Sequence, residues 1–139
     1  MAAGNIKLEI VTPEKAVVSE DVQIVMAPGA LGEFGVLIGH TPFMTTLKLG
    51  TIRYVDAAGK ERFVFISGGF AEALPDKVTI LAESAVRRAH IDVERAKSAL
   101  QRSQERLAKE DDETIDRERA RAAMERALNR LKIAAMRTS

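Results

Sequence analysis

The chain has 139 residues, 46% of them hydrophobic, 29% charged and 4% aromatic, and a formal net charge of +1. It contains no Cys and no Trp, which excludes disulfides, thiolate metal sites and cysteine nucleophiles together. The two histidines, His40 and His90, lie fifty positions apart with no acidic cluster beside either, so a zinc site or a catalytic triad has little to build on and an enzyme is not expected. From Asn5 to Ala85 the chain is written in short β-type runs. Ile6, Leu8 and Ile10 alternate with Lys7 and Glu9 until Pro13 interrupts, which predicts a half-buried strand and a turn. Further runs follow at Ala16 to Val18, Val22 to Ala27, Leu47 to Val55, Arg62 to Ser67, Gly69 to Leu74 and Lys77 to Ala82. Pro28-Gly29, Gly39, Pro42, Asp56-Ala57-Ala58-Gly59, Gly68-Gly69 and Pro75-Asp76 punctuate them as turns. No helical stretch between these strands is long enough for a crossover, so an antiparallel sandwich or barrel is predicted.

From His90 onward the composition shifts to Ala, Arg, Glu, Leu and Lys, all strong helix formers, and neither Gly nor Pro occurs after Pro75. Val93, Ala96, Leu100, Ser103 and Leu107 step by three and four, as do Ala120, Met124, Ala127, Leu131 and Ala134, which predicts two amphipathic helices. Glu110-Asp111-Asp112-Glu113-Thr114 is too polar to continue either seam, and Thr114 with Arg117-Glu118 offers a cap region for the second helix. A short connection makes the helices antiparallel neighbours. Their seam holds many Ala and few large side chains, so the apolar area they bury together is modest, at about 25 cal/mol per Å². The predicted fold is therefore α+β: an N-terminal antiparallel β-sandwich in residues 1–86, then a C-terminal antiparallel two-helix hairpin in 87–139 that is marginal alone and can exchange its docking.

Charge follows the same division. Residues 1–86 hold seven Lys/Arg against ten Asp/Glu, and residues 87–139 hold fourteen against ten. No apolar run approaches the roughly twenty residues that span a bilayer, and Lys7 and Glu9 interrupt the N-terminal stretch, so a soluble protein retained inside the cell is expected. The glycines at 29, 32, 35 and 39 match neither phosphate-binding pattern and read as tight turns. Ser67-Gly68-Gly69 lacks the surroundings of a nucleophile elbow and reads as a bulge or turn.

Several stretches, in order and spacing, resemble the epsilon subunit of bacterial and chloroplast F-type ATP synthases. They are Lys7-Leu8-Glu9-Ile10-Val11-Thr12-Pro13-Glu14, Gly32-Glu33-Phe34-Gly35-Val36-Leu37-Ile38-Gly39-His40-Thr41-Pro42-Phe43, Leu47-Lys48-Leu49-Gly50, Ile66-Ser67-Gly68-Gly69-Phe70, Val78-Thr79-Ile80-Leu81-Ala82-Glu83 and Ile91-Asp92-Val93-Glu94-Arg95-Ala96. The resemblance covers essentially the whole chain. It implies a non-catalytic central-stalk subunit of a proton-translocating complex, peripheral to the cytoplasmic face of a bacterial cell membrane and held there through the complex only. The implied partners are the gamma subunit, the membrane c-ring and the alpha/beta catalytic head, whose ATP hydrolysis a mobile hairpin inhibits. By the same resemblance Glu33 matches the position that faces the c-ring, and His40 a position at the gamma interface. Without it, His40 reads equally as a loop histidine bonded to nearby backbone.

Arg126 and Arg130 stand four apart on one helix face, and Arg95 and Arg102 seven apart on the other helix, so an antiparallel hairpin can gather all four around one anion such as a triphosphate. Asp92 either accepts from a ribose hydroxyl or an adenine amine, or caps the helix. By resemblance Asp92, Arg95, Arg102, Arg126 and Arg130 match the ATP-contacting set of nucleotide-binding members, which makes ATP a regulatory ligand and no cofactor a requirement. A solvated basic face with pairs such as Glu105 and Lys109 is the competing reading. Some ATP-binding members have acidic residues just ahead of the motif, whereas this chain reads Val86-Arg87-Arg88-Ala89-His90 there. Residues 116–137 carry seven Arg/Lys against three Asp/Glu, yet the tail has no aromatic side chain on which a base would stack, so no nucleic-acid partner is expected. An acidic protein surface fits better, and by resemblance Arg119, Arg121, Arg126, Arg130 and Lys132 meet the acidic segment of the catalytic beta subunits. A free-standing ATP-sensing module and a small nucleic-acid-binding protein are the alternative readings.

Overall fold

The computed structural model describes residues 4–135, which divide into two compact units, the first ending at Arg88 and the second beginning at Ala89. In the first unit, β1 (Ile6–Val11) pairs antiparallel with the early part of β2 (Ala16–Gly29), and on its other edge it pairs parallel with β8 (Lys77–Ala82). β8 pairs antiparallel with β7 (Gly69–Leu74), and β7 with β4 (Phe43–Leu47). The later part of β2 carries β3 (Gly32–Val36) and β5 (Gly50–Asp56); β5 continues to β6 (Glu61–Ile66) and β6 to β9 (Ala85–Arg87). The order β1-β8-β7-β4-β2-β5-β6-β9, with β1 returning to β2, folds the sheet back on itself around one core as a β-sandwich.

Strand alternation decides which residues enter that core. Ile6, Leu8 and Ile10 of β1 are fully buried while Lys7 and Glu9 are not, and they share the core cluster with Val18, Val22, Val25, Ile52, Tyr54, Val64, Ile66, Val78 and Ile80 among others. Each fully buried Val, Leu or Ile contributes about 1.5–3 kcal/mol. β6 departs from alternation, because Phe63 and Phe65 on its other face are buried as well.

The sheet differs from the sequence expectation in several places. The runs at Ala16 to Val18 and Val22 to Ala27 are one 14-residue strand, since Ser19, Glu20 and Asp21 pair with β1 as an exposed stretch of the same ladder. The run at Leu47 to Val55 takes in only the last residue of β4 before β5 starts at Gly50, and residues 43–46, which were not expected as a strand, form the rest of β4. Gly32–Val36, expected as part of a turn-rich loop, is a strand, and Ala85–Arg87 is another. The β1–β8 pair is parallel, which an all-antiparallel expectation misses, because the intervening strands together supply the long crossover that a parallel pair needs.

The second unit holds α1 (Val93–Ala108) and α2 (Arg117–Ala135), about 24 and 28 Å long at 1.5 Å per residue. They pack on one another, and Ala96, Ser103, Ala120 and Ala127 of the expected seam are buried, as is Ile133. Ser103 lies in that seam because its hydroxyl donates to the Ala99 carbonyl at 2.8 Å. Asp116 caps α2, its carboxylate accepting from the Arg119 N–H at 3.0 Å. Thr114, expected in that role, instead bonds to Asp112 within the connecting loop. Arg117 bridges the hairpin by donating from its guanidinium to the carbonyls of Leu107 and Lys109 at the end of α1.

Candidate functional site

The arginine set of the helical unit is gathered in part. Arg130 is half-buried on α2, and its pKa lies below the ordinary arginine value: burial disfavours the cation first, and the charges of Arg126 on the same helix and Arg95 on α1 lower it further. Charges from both helices therefore act at Arg130. Arg102 is exposed on α1 and is not among the charges that act on Arg130. Asn129, one residue ahead of Arg130, leaves its Nδ2 buried without a hydrogen-bond partner.

Asp92 is the N-cap of α1, where its Oδ1 accepts from the Arg95 N–H at 3.0 Å. Of its two expected roles, capping is the one visible in the geometry. Glu105, expected to pair with Lys109, accepts instead from Gln101 at 3.3 Å. Arg119, Arg121 and Lys132 are exposed along α2.

On the sandwich, Glu33 is exposed near the start of β3, beside the β2–β3 hairpin whose tip residue Leu31 is fully exposed at 103%. His40 sits in the loop between β3 and β4. Its Nδ1 donates to the Thr41 carbonyl at 2.6 Å and its ring meets Phe43 edge-on at 5.0 Å, while Gly39 ties the loop to the Pro75 carbonyl.

One surface has no counterpart in the sequence reading. On the outer face of β4, β7 and β8, Phe70 stands directly across from Leu81 and beside Thr46, with Met44 further along the same face. Met44, Phe70 and Leu81 are 71%, 55% and 54% exposed. A groove of about 670 Å³ runs beside them, lined by Val11, Pro13, Leu47, Gly68, Phe70 and Leu81 among others. Its floor depends on Gly69, where a Cβ would fall 2.0 Å from the Leu81 carbonyl oxygen at a φ of +150°. A contiguous apolar stripe on a sheet face marks a contact surface, and the signal for it was the pair of apolar residues, Phe70 and Leu81, at outward positions of their strands. Among the described residues no group of His, Asp and Glu is placed to hold a metal, and no helix is long and apolar enough to cross a membrane.

Both units match known families. Residues 5–88 match the ATP synthase delta/epsilon chain β-sandwich domain, and residues 89–135 the delta/epsilon chain long α-helix domain. An ATP synthase epsilon chain of Desulfatibacillum aliphaticivorans is 68% identical over 105 residues, which cover 76% of this chain and 74% of that one. Another, from Syntrophobacter fumaroxidans, is 55% identical over 133 residues, covering 95% and 97%. A chain in the OSCP/F1/c-ring structure of the Euglena gracilis mitochondrial ATP synthase superposes with a TM-score of 0.80 at 27% identity, over 98% of this chain and 84% of that chain. A chain of the Tetrahymena thermophila mitochondrial ATP synthase central stalk and c-ring shares the fold, with a TM-score of 0.56 at 11% identity over 97% and 100%. With the sandwich matched in one half and the helical pair in the other, the chain belongs to the ATP synthase delta/epsilon chain family.

Proposed function

We propose that this chain is a non-catalytic central-stalk subunit of a proton-translocating F-type ATP synthase. In this reading the sandwich joins the gamma subunit to the membrane c-ring, and the helical hairpin restrains ATP hydrolysis in the alpha/beta head. The observation that carries it is the family match through both units in the order sandwich, then hairpin. The apolar stripe of Met44, Phe70 and Leu81 supplies a seat for gamma, with the His40 loop at the same interface. The β2–β3 hairpin, with Leu31 and Glu33 exposed, faces the c-ring. Attachment through these partners holds the protein at the cytoplasmic face of the cell membrane.

Regulation rests on a docking equilibrium of the hairpin. One state presents Arg119, Arg121, Arg126, Arg130 and Lys132 to an acidic surface of the catalytic beta subunits. In the other, Arg95, Arg126 and Arg130 take ATP, with Arg102 and Asp92 at the edge of the site. ATP shifts the balance only by its difference in affinity for the two states. Charge-assisted bonds from three arginines favour the ATP-bound form, and the polyanion removes their mutual repulsion.

The test compares reconstituted complexes containing either the full chain or a chain ending at Arg88. The expected result is intact assembly with raised ATP hydrolysis in the shortened form. Unchanged hydrolysis would reject inhibition, and lost assembly would move the essential contacts into the hairpin. Titration of the full chain with Mg-ATP, with Arg126→Ala and Arg130→Ala beside it, tests the ligand; heat of binding that survives both substitutions rejects the site.

A further inference from the structure

β9 is three residues long and pairs with β6 alone, Val64 opposite Arg87, Phe65 opposite Val86 and Ile66 opposite Ala85. None of its residues is fully buried, and an edge strand this short frays when ladder bonds alone hold it. Side chains brace it at both ends. Just ahead of it, the Ser67 N–H donates to the Ser84 carbonyl, the Ser84 N–H donates to the Ser67 hydroxyl, and the two hydroxyls lie 2.9 Å apart. At its far end, Arg87 Nε donates at 2.9 Å to the carbonyl of Val17 in β2, 70 positions away in sequence, and Arg87 Nη2 lies 3.8 Å from Glu20 Oε2. Arg88–His90 then make one 3-10 turn without a buried side chain, and Asp92 starts α1.

We propose that Arg87 is a positioning residue that clamps β9 to the sandwich, so that reorientation of the helical unit is taken up between Arg88 and Ile91 and does not reach the sheet. The clamp is a property of the sandwich; its regulatory use rests on the hairpin-release reading above. The molecule carries its own reporter. Tyr54 is the one tyrosine in a chain without tryptophan, and its hydroxyl is buried without a hydrogen-bond partner. Burial raises its pKa and Glu20 raises it further, while the Arg87 and Arg62 cations lower it and Asp56 adds a smaller rise.

The experiment uses the full chain, with amide exchange read by mass spectrometry and Tyr54 ionisation read by phenolate absorbance. In the wild type the β9 amides exchange as slowly as those of β6. Arg87→Gln removes both contacts and is expected to speed β9 exchange about tenfold, leaving β1 to β8 unchanged. Loss of the Arg87 cation, which lowers the Tyr54 pKa, should also move Tyr54 ionisation to higher pH than in the wild type. Glu20→Gln keeps the Val17 bond and should leave β9 exchange near wild type while Tyr54, losing a charge that raises its pKa, ionises at lower pH; Arg87→Lys, which loses the planar Nε donor, should fall between wild type and Arg87→Gln in β9 exchange. Unchanged β9 exchange in Arg87→Gln would overturn the proposal, as would loss of protection across the whole sandwich in both Arg87 variants. These outcomes do not depend on hydrolysis. Failure of the clamp and failure of inhibition are therefore read separately.

Discussion

At the scale of single residues, Asp56 and Gly69 show how local chemistry fixes backbone that partners then use. Asp56 closes the β5–β6 turn: its carboxylate accepts from the N–H groups of Lys60 at 2.8 Å and Ala58 at 3.0 Å and from Arg62 Nε at 3.2 Å. The Lys60 bond is the largest of the causes that hold its pKa below the ordinary aspartate value of 3.8. A carboxyl whose folded pKa is depressed contributes stability that is complete above the unfolded value and is lost as pH falls through the folded one. Asp56→Asn should therefore melt lower than wild type at neutral pH, and the two melting curves should converge in acid below pH 3.8, as followed by circular dichroism. At Gly69, a side chain would collide with the Leu81 carbonyl in a left-handed conformation. Gly69→Ala should cost about 3 kcal/mol, read as a lower denaturant midpoint at unchanged m. Asp92 marks the limit of residue-level reading, because one carboxylate at the head of a helix suits a cap and a ligand contact equally. Only the bond to the Arg95 amide shows which use the backbone makes of it.

At the scale of elements, the helices were more legible than the strands. A 3-4 step over five apolar or small positions has few other solutions, and α1 and α2 fall where that step runs. β3 was hidden because three glycines in and beside a five-residue strand read as turn signals, although the tight approach of Gly35 to the Met26 side chain shows what a larger residue would disturb. β9 was hidden because three residues carry no periodicity. The outer stripe of Met44, Phe70 and Leu81 was missed for a related reason: an apolar residue at an outward position looks like ordinary strand composition until register sets Phe70 across from Leu81. That stripe predicts that Phe70→Ser leaves the melting temperature near wild type, its side chain being exposed, and weakens pull-down of the gamma subunit at least about tenfold. In the hairpin, Arg117→Ala removes the cross-helix bonds to Leu107 and Lys109 and should cost about 1 kcal/mol, visible as faster amide exchange in the hairpin. Of the expected arginine set, Arg126 acts on Arg130 from one turn away on the same helix, as their spacing of four requires. Spacing alone could not separate Arg95, whose charge reaches Arg130, from Arg102, whose charge does not, because helical phase relative to the partner helix decides that.

At the scale of the whole molecule, the composition change from His90 onward was enough to anticipate a sheet followed by helices. The core cluster of buried residues lies entirely between Ile6 and Ala82, with no helical residue in it. A chain ending at Arg88 should consequently keep a cooperative thermal transition, whereas a peptide of residues 89–135, whose buried seam is mostly alanine and serine, should unfold broadly. The parallel pairing was invisible, since period-two patterns carry no direction and nothing local links β1 to β8. That pairing also dictates an order of events at birth. β1 leaves the ribosome first and can join β2 at once, but its other edge must wait until Lys77–Ala82 has emerged, so the sheet cannot close before nearly all of its own strands have been synthesised. The nascent chain thus carries an unsealed seam until β8 has emerged, and the free edge of β1 stays open to other partners for that whole interval.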